Sequence, residues 1–528
     1  MRGVTGSSLE DSRKPSVASR LGWGLTRPAI APLFWVLLLY VLLRVPSWFE
    51  PHWYTDEAGY ATTAWLSTHG KELYVTVWNN KPPLLFWIYD LALRLFGPSE
   101  LGIHLLSTVA GGIALAALWK LLGLRCHGLR LWLPLVGAAL LLGTPIFNGD
   151  LALPENFLIA PEAWAMVLLV LTLSSPGRRG QWLLPAGSGI LFGLACLIQQ
   201  TALGPAAAAT VLLLVLRGRR GLGQAVFLVV GLAVAVGVGV APSLISAGFH
   251  NVFRFLVQSI GSYTTASLPV DPATLISRGL ALLLLLAGII SSRGYDPLRR
   301  VGLVWLAANL IEYVLPNRDY AHFLLPAVVP ACLLLGLVVW PGWRWLRGHL
   351  RQLPLVAAVV LATLLWVQLF SSQIEQGSLY TAQREVEYLP LFINYETGRI
   401  SPDTYISWYD TEALGETLAV QWVDRHHLRG ATAVVWSADS WAYLLADLKP
   451  VVPAPPIYVD SEWLGTTQLL KRVTAARPEL VILTPDAVSA FGPIQTLLDH
   501  DYRLVERSAH GSVWLLDSAV TRVEGGQP

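Results

Sequence analysis

The chain has 528 residues, of which 54% are hydrophobic and only 14% charged. A soluble protein carries nearer a quarter charged residues, so a soluble globular protein is excluded. The formal net charge of +2 is too small for a nucleic-acid partner, and the charges are arranged by loop, not in one patch.

In chain order, residues 1–28 are rich in Ser, Arg and Gly and read as a disordered cytoplasmic N-terminus. The apolar run from Pro32 to Trp48 lacks a small-residue cleavage site and reads as an uncleaved first span. Asp56-Glu57 follows it directly, then Gly70-Lys71-Glu72-Leu73-Tyr74, then Lys81-Pro82-Pro83. Apolar segments of bilayer-crossing length predict spans near 30–48, 102–121, 131–147, 157–174, 183–199, 201–216, 224–247, 273–291, 301–315, 322–340 and 353–371. Pro82 to Gly97 is apolar too, but short, and carries Asp90 and Arg94. If it does not cross, the loops holding Arg125/Arg130, Arg178/Arg179, Arg217/Arg219/Arg220, Arg293/Arg299/Arg300 and Arg344/Arg347/Arg351 share one side with the basic N-terminus. The positive-inside rule therefore predicts an interfacial amphipathic helix over 82–97, with both prolines in its first turn. The polytopic α-helical membrane protein that results has about eleven transmembrane helices. Its N-terminus is cytoplasmic, and Asp56, Glu57, Lys81, Asp150, Glu155, Gln199, Gln200, Arg318, Asp319 and His322 all fall on the external face.

The loop Gly248 to Pro272 is long enough to order over a ligand and reads as a flexible lid. The three cysteines, Cys126, Cys196 and Cys332, are odd in number and far apart, giving neither a disulfide framework nor a metal site. After residue 371 charge rises and apolar runs shorten. Thr432–Trp436 and Leu480–Leu483 read as buried strands, Glu412–His427 and Ser461–Ala476 as helices, and 502–506 with 512–517 as a closing strand pair around His510-Gly511. Residues 372–528 are thus a small extracytoplasmic α/β domain, without a phosphate-loop or dinucleotide motif.

Ionisable residues at a membrane boundary are functional candidates. Each has a plainer reading: Asp56 and Glu57 cap the helix starting near Ala58, Lys81 snorkels, and Glu155 is a first-turn acid of its span. Arg318 is then a loop charge and His322 an interfacial packing residue.

Asp-Glu after the first span, then Gly-x-x-Leu-Tyr, then Lys-Pro-Pro-Leu, resembles the first external loop of the GT-C glycosyltransferases. The nearest resemblance is to the dolichyl-phosphate-mannose protein mannosyltransferases and lipid A aminoarabinose transferases. It covers roughly residues 30–371 and implies a GT-C transmembrane catalytic domain over 29–371, with interfacial helices in its first external loop. It implies an inverting transfer of one sugar from a polyprenyl-phosphate carrier to an extracytoplasmic protein, lipid or glycan acceptor at the cell membrane. By position, Asp56 is the implied base, with Glu57 orienting the loop, the acceptor or a metal. Lys81 and Arg318 are the implied donor-phosphate ligands. Glu155, His322, Gln199 and Tyr60 are the implied sugar or acceptor contacts. The resembled group includes metal-dependent and metal-independent members, so a divalent cation is left open. Where many relatives carry a lysine, this chain reads Ile198-Gln199-Gln200-Thr201-Ala202, which leaves Lys81 and Arg318 with more of the phosphate charge. The competing readings are a polyprenyl-lipid or solute transporter and an inactive lipid-sugar-binding subunit.

Overall fold

The computed structural model describes residues 30–174, 182–259, 296–314, 320–337, 382–454, 457–484 and 494–524, besides a few isolated positions near 280. Among the described residues the apolar part is formed by the helices α1 (Ile30–Arg44), α2 (Thr55–Thr68), α3 (Pro83–Phe96), α4 (Glu100–Leu122), α5 (Leu129–Gly143), α6 (Pro154–Ser174), α7 (Leu183–Ile198), α8 (Leu203–Arg217), α9 (Arg219–Phe253), α10 (Pro297–Val314) and α11 (Leu325–Leu337). Each expected span within the described residues is helical; those at 273–291 and 353–371, and residues 1–28, fall outside them. Among the described residues, five stretches are long and apolar enough to cross a membrane: Ile30–Phe49, Glu100–Leu122, Pro154–Ser174, Gln200–Arg217 and Arg219–Gln258. Leu129–Gly143, Leu183–Ile198 and Ala321–Leu337 are shorter apolar helices.

Lipid tails are as apolar as leucine, so close packing must hold such helices together. Glycine does this between α7 and α9. A Cβ on Gly189 would lie 1.9 Å from the Leu228 carbonyl oxygen, and one on Gly231 would lie 2.2 Å from that of Ala186. The backbones therefore touch, and no larger side chain fits between them.

Helix α3 follows Pro82 as N-cap with Pro83 in its first position. It buries Leu85, Phe86, Tyr89 and Ala92 while Trp87, Leu91 and Leu95 form an exposed apolar stripe at i, i+4 and i+8. Asp90 and Arg94 pair on its surface at 2.8 Å.

Two expectations need correction. The lid reading of Gly248 to Pro272 fails over its first part: the chain stays helical through Phe253 and continues as a π-helical turn over Arg254–Gln258. Gly248, at φ 76°, breaks the helix with a kink, and a second helical stretch resumes beyond it to Phe253. Val252, Phe255 and Leu256 then bury against Tyr74, so this part is packed. Residues 260–272 lie outside the described residues. The single helix expected over Ser461–Ala476 is two, Ile457–Leu464 and Thr466–Ala476, split at Gly465 with φ 76°.

The remaining elements are α12 (Ala382–Glu396), α13 (Pro402–Tyr409), α14 (Thr411–Arg425), β1 (Thr432–Trp436), α15 (Trp441–Leu445), β2 (Lys449–Pro450), α16 (Ile457–Leu464), α17 (Thr466–Ala476), β3 (Leu480–Leu483), α18 (Gln495–Asp501), β4 (Tyr502–Arg507), β5 (Ser512–Leu516) and α19 (Asp517–Glu524). The strands form one sheet in the order β2-β1-β3-β5-β4. β1 runs parallel to β2 and β3, with Val434 opposite Val481, whereas β5 runs antiparallel to β3 and β4. One face packs on Trp422, Val423 and Tyr443, the other on Leu469, Val473 and Leu498. Burial on both faces explains why β1 and β3 read as continuous apolar runs.

This sheet docks on the membrane-side helices through polar contacts. Thr62 of α2 donates to the Ser440 carbonyl at 3.0 Å, and the Trp78 amide donates to the Pro453 carbonyl at 3.0 Å. Glu50 is buried beneath α12 and α13, accepting from Tyr388 at 2.5 Å and from Trp53 at 2.9 Å. Burial, and then the charge of Asp150, pushes its carboxyl up to about 8. Burial likewise raises Glu416 on α14 to about 7, against the Ala442 N–H that it accepts at 3.0 Å.

Two predictions follow from this packing. Gly231→Leu forces a side chain into helix backbone, which costs about 3 kcal/mol or more; size-exclusion in detergent should show loss of the monodisperse peak, while Gly237→Leu, in open space, keeps it. For pH, both acids bind their proton more tightly folded than unfolded, where each titrates near 4.5. Stability therefore falls as pH rises from about 4.5 towards 8, by up to about 1.4 kcal/mol per pH unit for each proton involved. Thermal unfolding of Glu50→Gln should show a shallower decline than wild type across this window.

Candidate active site

Helix α2 begins behind Tyr54, whose extended backbone forms its N-cap without a side-chain cap bond. Asp56 and Glu57 thus occupy the first turn, where acids suit the helix dipole. Successive residues on a helix diverge by about 100°, and here that separates the pair completely. Glu57 turns inward and is fully buried, accepting from the Ala152 amide at 2.5 Å and facing His104 Nε2 at 3.1 Å. Asp56 stays partly exposed, on the side of Lys81, Tyr54 and His322.

The loop carrying Lys81 is fixed on several sides. Tyr74 donates its hydroxyl to the Lys81 carbonyl at 2.7 Å, and the Lys81 amide donates to Asn79 Oδ1 at 3.1 Å. Asn79 in turn donates to Thr63 of α2 at 3.3 Å. Gln200 donates to the Asn80 carbonyl at 2.7 Å and to that of Leu256 at 3.3 Å. Lys81 Nζ sits 6.0 Å from the centre of the Tyr60 ring. The ring itself packs edge-on against Tyr89 at 5.8 Å.

Glu155, in the first turn of α6, is 2% exposed and within electrostatic reach of Lys81. Gln199 lies beside it, yet neither Glu155 oxygen has a well-formed hydrogen bond among the described residues. His322 is buried, stacks on Tyr320 at 5.4 Å, and is within electrostatic reach of both Asp56 and Lys81. Tyr54 stands among Asp56, Glu57, Tyr320 and Glu155; burial first, then the charge of Asp56, holds its hydroxyl well above the ordinary range and so protonated.

The structure therefore brings Asp56, Lys81, Tyr60, Glu155, Gln199 and His322 to one end of the helices. Glu57 belongs to a separate inner cluster, and Arg318 lies outside the described residues. Asp150 joins the inner cluster near Arg44; burial raises its carboxyl to about 6 against the pull of that guanidinium.

The sequence reading passed over several residues. Tyr54 and Tyr320 carry no sequence signal beyond standing beside the motifs. Glu100 and His104, four apart at the start of α4, were visible as ionisable residues one turn apart near a span end. Glu162 and Glu312 lie inside expected spans. Glu162 accepts from Trp305 at 2.5 Å and from Asn309 at 3.0 Å, so a buried acid stands within an expected span. Asp439, after β1, is buried and reaches Thr55, one residue from Asp56. Burial, then Glu416, raises its carboxyl well above the ordinary range.

Among the described residues, Arg125, Arg130 and Arg299 of the basic loops lie at the opposite end. Arg125 pairs with Asp296 at 3.1 Å, Arg130 donates to the Gly336 carbonyl at 3.2 Å, and Arg299 donates to that of Leu337 at 2.9 Å.

Residues 80–245 match the family model described as dolichyl-phosphate-mannose-protein mannosyltransferase. No curated protein matches the chain in sequence. Among solved structures, ArnT from Cupriavidus metallidurans bound to undecaprenyl phosphate is similar with a TM-score of 0.56 and 15% identity, over 92% of this chain and 98% of that one. Its apo state gives a TM-score of 0.54 at the same identity and coverage, 15%, 92% and 98%. Such likenesses at low identity show the fold. With the mannosyltransferase match over 80–245, they identify the chain as carrying the GT-C glycosyltransferase fold that its first-loop motifs resemble.

Proposed function

We propose that the protein is an inverting glycosyltransferase that moves one sugar from a polyprenyl phosphate to a hydroxyl or amine acceptor outside the cytoplasm. The observation that carries this reading is the division of the acidic pair. Glu57 is locked inside, while Asp56 is partly exposed beside Tyr54 and His322, and Lys81 reaches the same histidine. A partly exposed carboxylate and a partly exposed ammonium around one histidine supply the base and the cation such a displacement requires.

Asp56 takes the acceptor proton as the acceptor oxygen or nitrogen bonds to the anomeric carbon. The bond from that carbon to the carrier phosphate oxygen breaks on the opposite face, and the electron pair leaves with the phosphate. Lys81 meets the charge that develops there, and Arg318 adds a second cation. Glu155 and Gln199 contact the sugar or acceptor, with Tyr60 and His322 forming the walls. The ArnT structure holds undecaprenyl phosphate on the same fold, which supports a carrier of that kind. The match to mannosyltransferases over 80–245 supports a hexose as the group moved, with a pentose as the alternative. The basic loops at the end opposite Asp56 support an external active site under the positive-inside rule. Residues 372–528 then also lie outside, resting on α2.

The test is release of polyprenyl phosphate, counted by mass spectrometry, from a panel of polyprenyl-phosphate sugars with envelope extract as acceptor source. Asp56→Asn should lower turnover roughly a thousandfold, the scale of a lost general base, with carrier binding retained. Lys81→Ala should lower turnover and weaken retention of the free polyprenyl phosphate product together. No release by folded, lipid-bound wild type would overturn the reading in favour of a transporter or an inactive binding subunit.

A further inference from the structure

Behind Asp56, α2, α4 and the loop before α6 enclose a buried cluster that sugar transfer does not use. Glu57, Glu100 and His104 each offer one ligand atom, and the three atoms lie within 4.8 Å of one another. All three residues are buried, at 0%, 3% and 0% exposure.

The histidine is oriented as a ligand. Its Nδ1 donates to the Ser47 carbonyl at 2.5 Å, which leaves Nε2 pointing at the carboxylates. A backbone acceptor on one ring nitrogen that fixes the other toward a cation is the usual outer support of a metal-bound histidine. Glu57 Oε1 takes the Ala152 amide and lies 3.1 Å from His104 Nε2, with Oε2 at 3.3 Å from the same nitrogen. Glu100 Oε2 lies 3.5 Å from the same nitrogen. Ligand bonds of 2.0–2.2 Å at tetrahedral angles put neighbouring ligand atoms about 3.4 Å apart, and both Oε2 separations agree with that spacing.

Glu100 supplies an independent observation. Among the described residues neither of its oxygens accepts a hydrogen bond, although both are buried. A buried carboxylate without donors is costly, and the ring nitrogen at 3.5 Å is too far to satisfy it. Charge points the same way. Glu50, Glu57, Glu100 and Asp150 interact electrostatically around His104, and Arg44 is the fixed cation that faces Asp150.

We propose that Glu57, Glu100 and His104 bind one divalent transition-metal ion, zinc by the nitrogen and oxygen donor set, with a fourth position left for water or a second carboxylate oxygen. The ion pins the first turn of α2 to α4, and so holds Asp56 facing outward. It is a structural ion, set behind the carboxylate that meets the acceptor. The proposal rests on the transferase reading only in that last role; metal content is measured without turnover, so failure of one is distinguishable from failure of the other.

The experiment is elemental analysis by inductively coupled plasma mass spectrometry of the full chain, purified in detergent without chelator or an immobilised-metal column. Wild type should hold about one zinc per chain, and so should Asp56→Asn. Glu100→Gln and His104→Ala should each fall below about a tenth of that. Chelation should lower the thermal midpoint of wild type and zinc should restore it. Wild type below about a tenth of an equivalent, with no midpoint shift on adding zinc or manganese, would overturn the proposal and leave a protonated histidine between two acids. Full zinc in both Glu100→Gln and His104→Ala would place the ion elsewhere and overturn it too. Should either variant fail to fold, wild-type content and the chelation cycle decide alone.

Discussion

Glu57 holds the loop after α1 in place. Its carboxylate joins three pieces of chain that are distant in sequence: the first turn of α2, His104 on α4, and the Ala152 amide in the loop before α6. A fully buried carboxylate must be satisfied, and the Ala152 amide together with His104 fixes the rotation of α2. With Glu57 turned inward, Asp56 must point roughly 100° away, toward Lys81. Arg44 extends the same network, donating to Thr108 at 3.1 Å, to Ser107 at 2.6 Å and to the Gly149 carbonyl. The acidic pair therefore acts as two residues with separate duties.

A second constraint comes from the chain beyond residue 371. The sheet sets the loop after β1 on α2 through Thr62 and Ser440, and brings Asp439 to Thr55. Further along, Trp78, Phe255 and Trp463 meet with ring centres 4.9 to 6.1 Å apart, joining the first loop, the end of the α9 segment and α16. Arg254 and Arg472 lie 5.6 and 5.9 Å from the Trp78 ring. Loop, membrane helices and sheet thus share one polar and aromatic seam around the candidate site. The seam also explains why Val252, Phe255 and Leu256 are packed: Tyr74 and Trp78 supply apolar partners that the sequence of that segment by itself cannot reveal.

The helices were legible because hydrocarbon length and apolar run length are the same physical quantity. The strands at 432–436 and 480–483 were legible because burial on both faces leaves an unbroken apolar run. The break at Gly465 was missed because glycine is tolerated inside helices, and only its left-handed φ reveals the stop. Asp56, Lys81, Glu155, Gln199, Tyr60 and His322 were found through motif resemblance and sidedness, and the fold places them at one end.

By itself, then, the sequence determined the class of molecule, the helical segments within the described residues and the short roster of polar residues near their ends. Those are local properties, set by composition, run length and spacing. Only the tertiary structure decided which acid of the pair is accessible, that Glu100 and His104 stand behind it, and that Asp439 comes within reach of α2 from almost 400 residues away. Such choices depend on helix rotation and on donors supplied by remote chain, and no periodicity in the sequence encodes them.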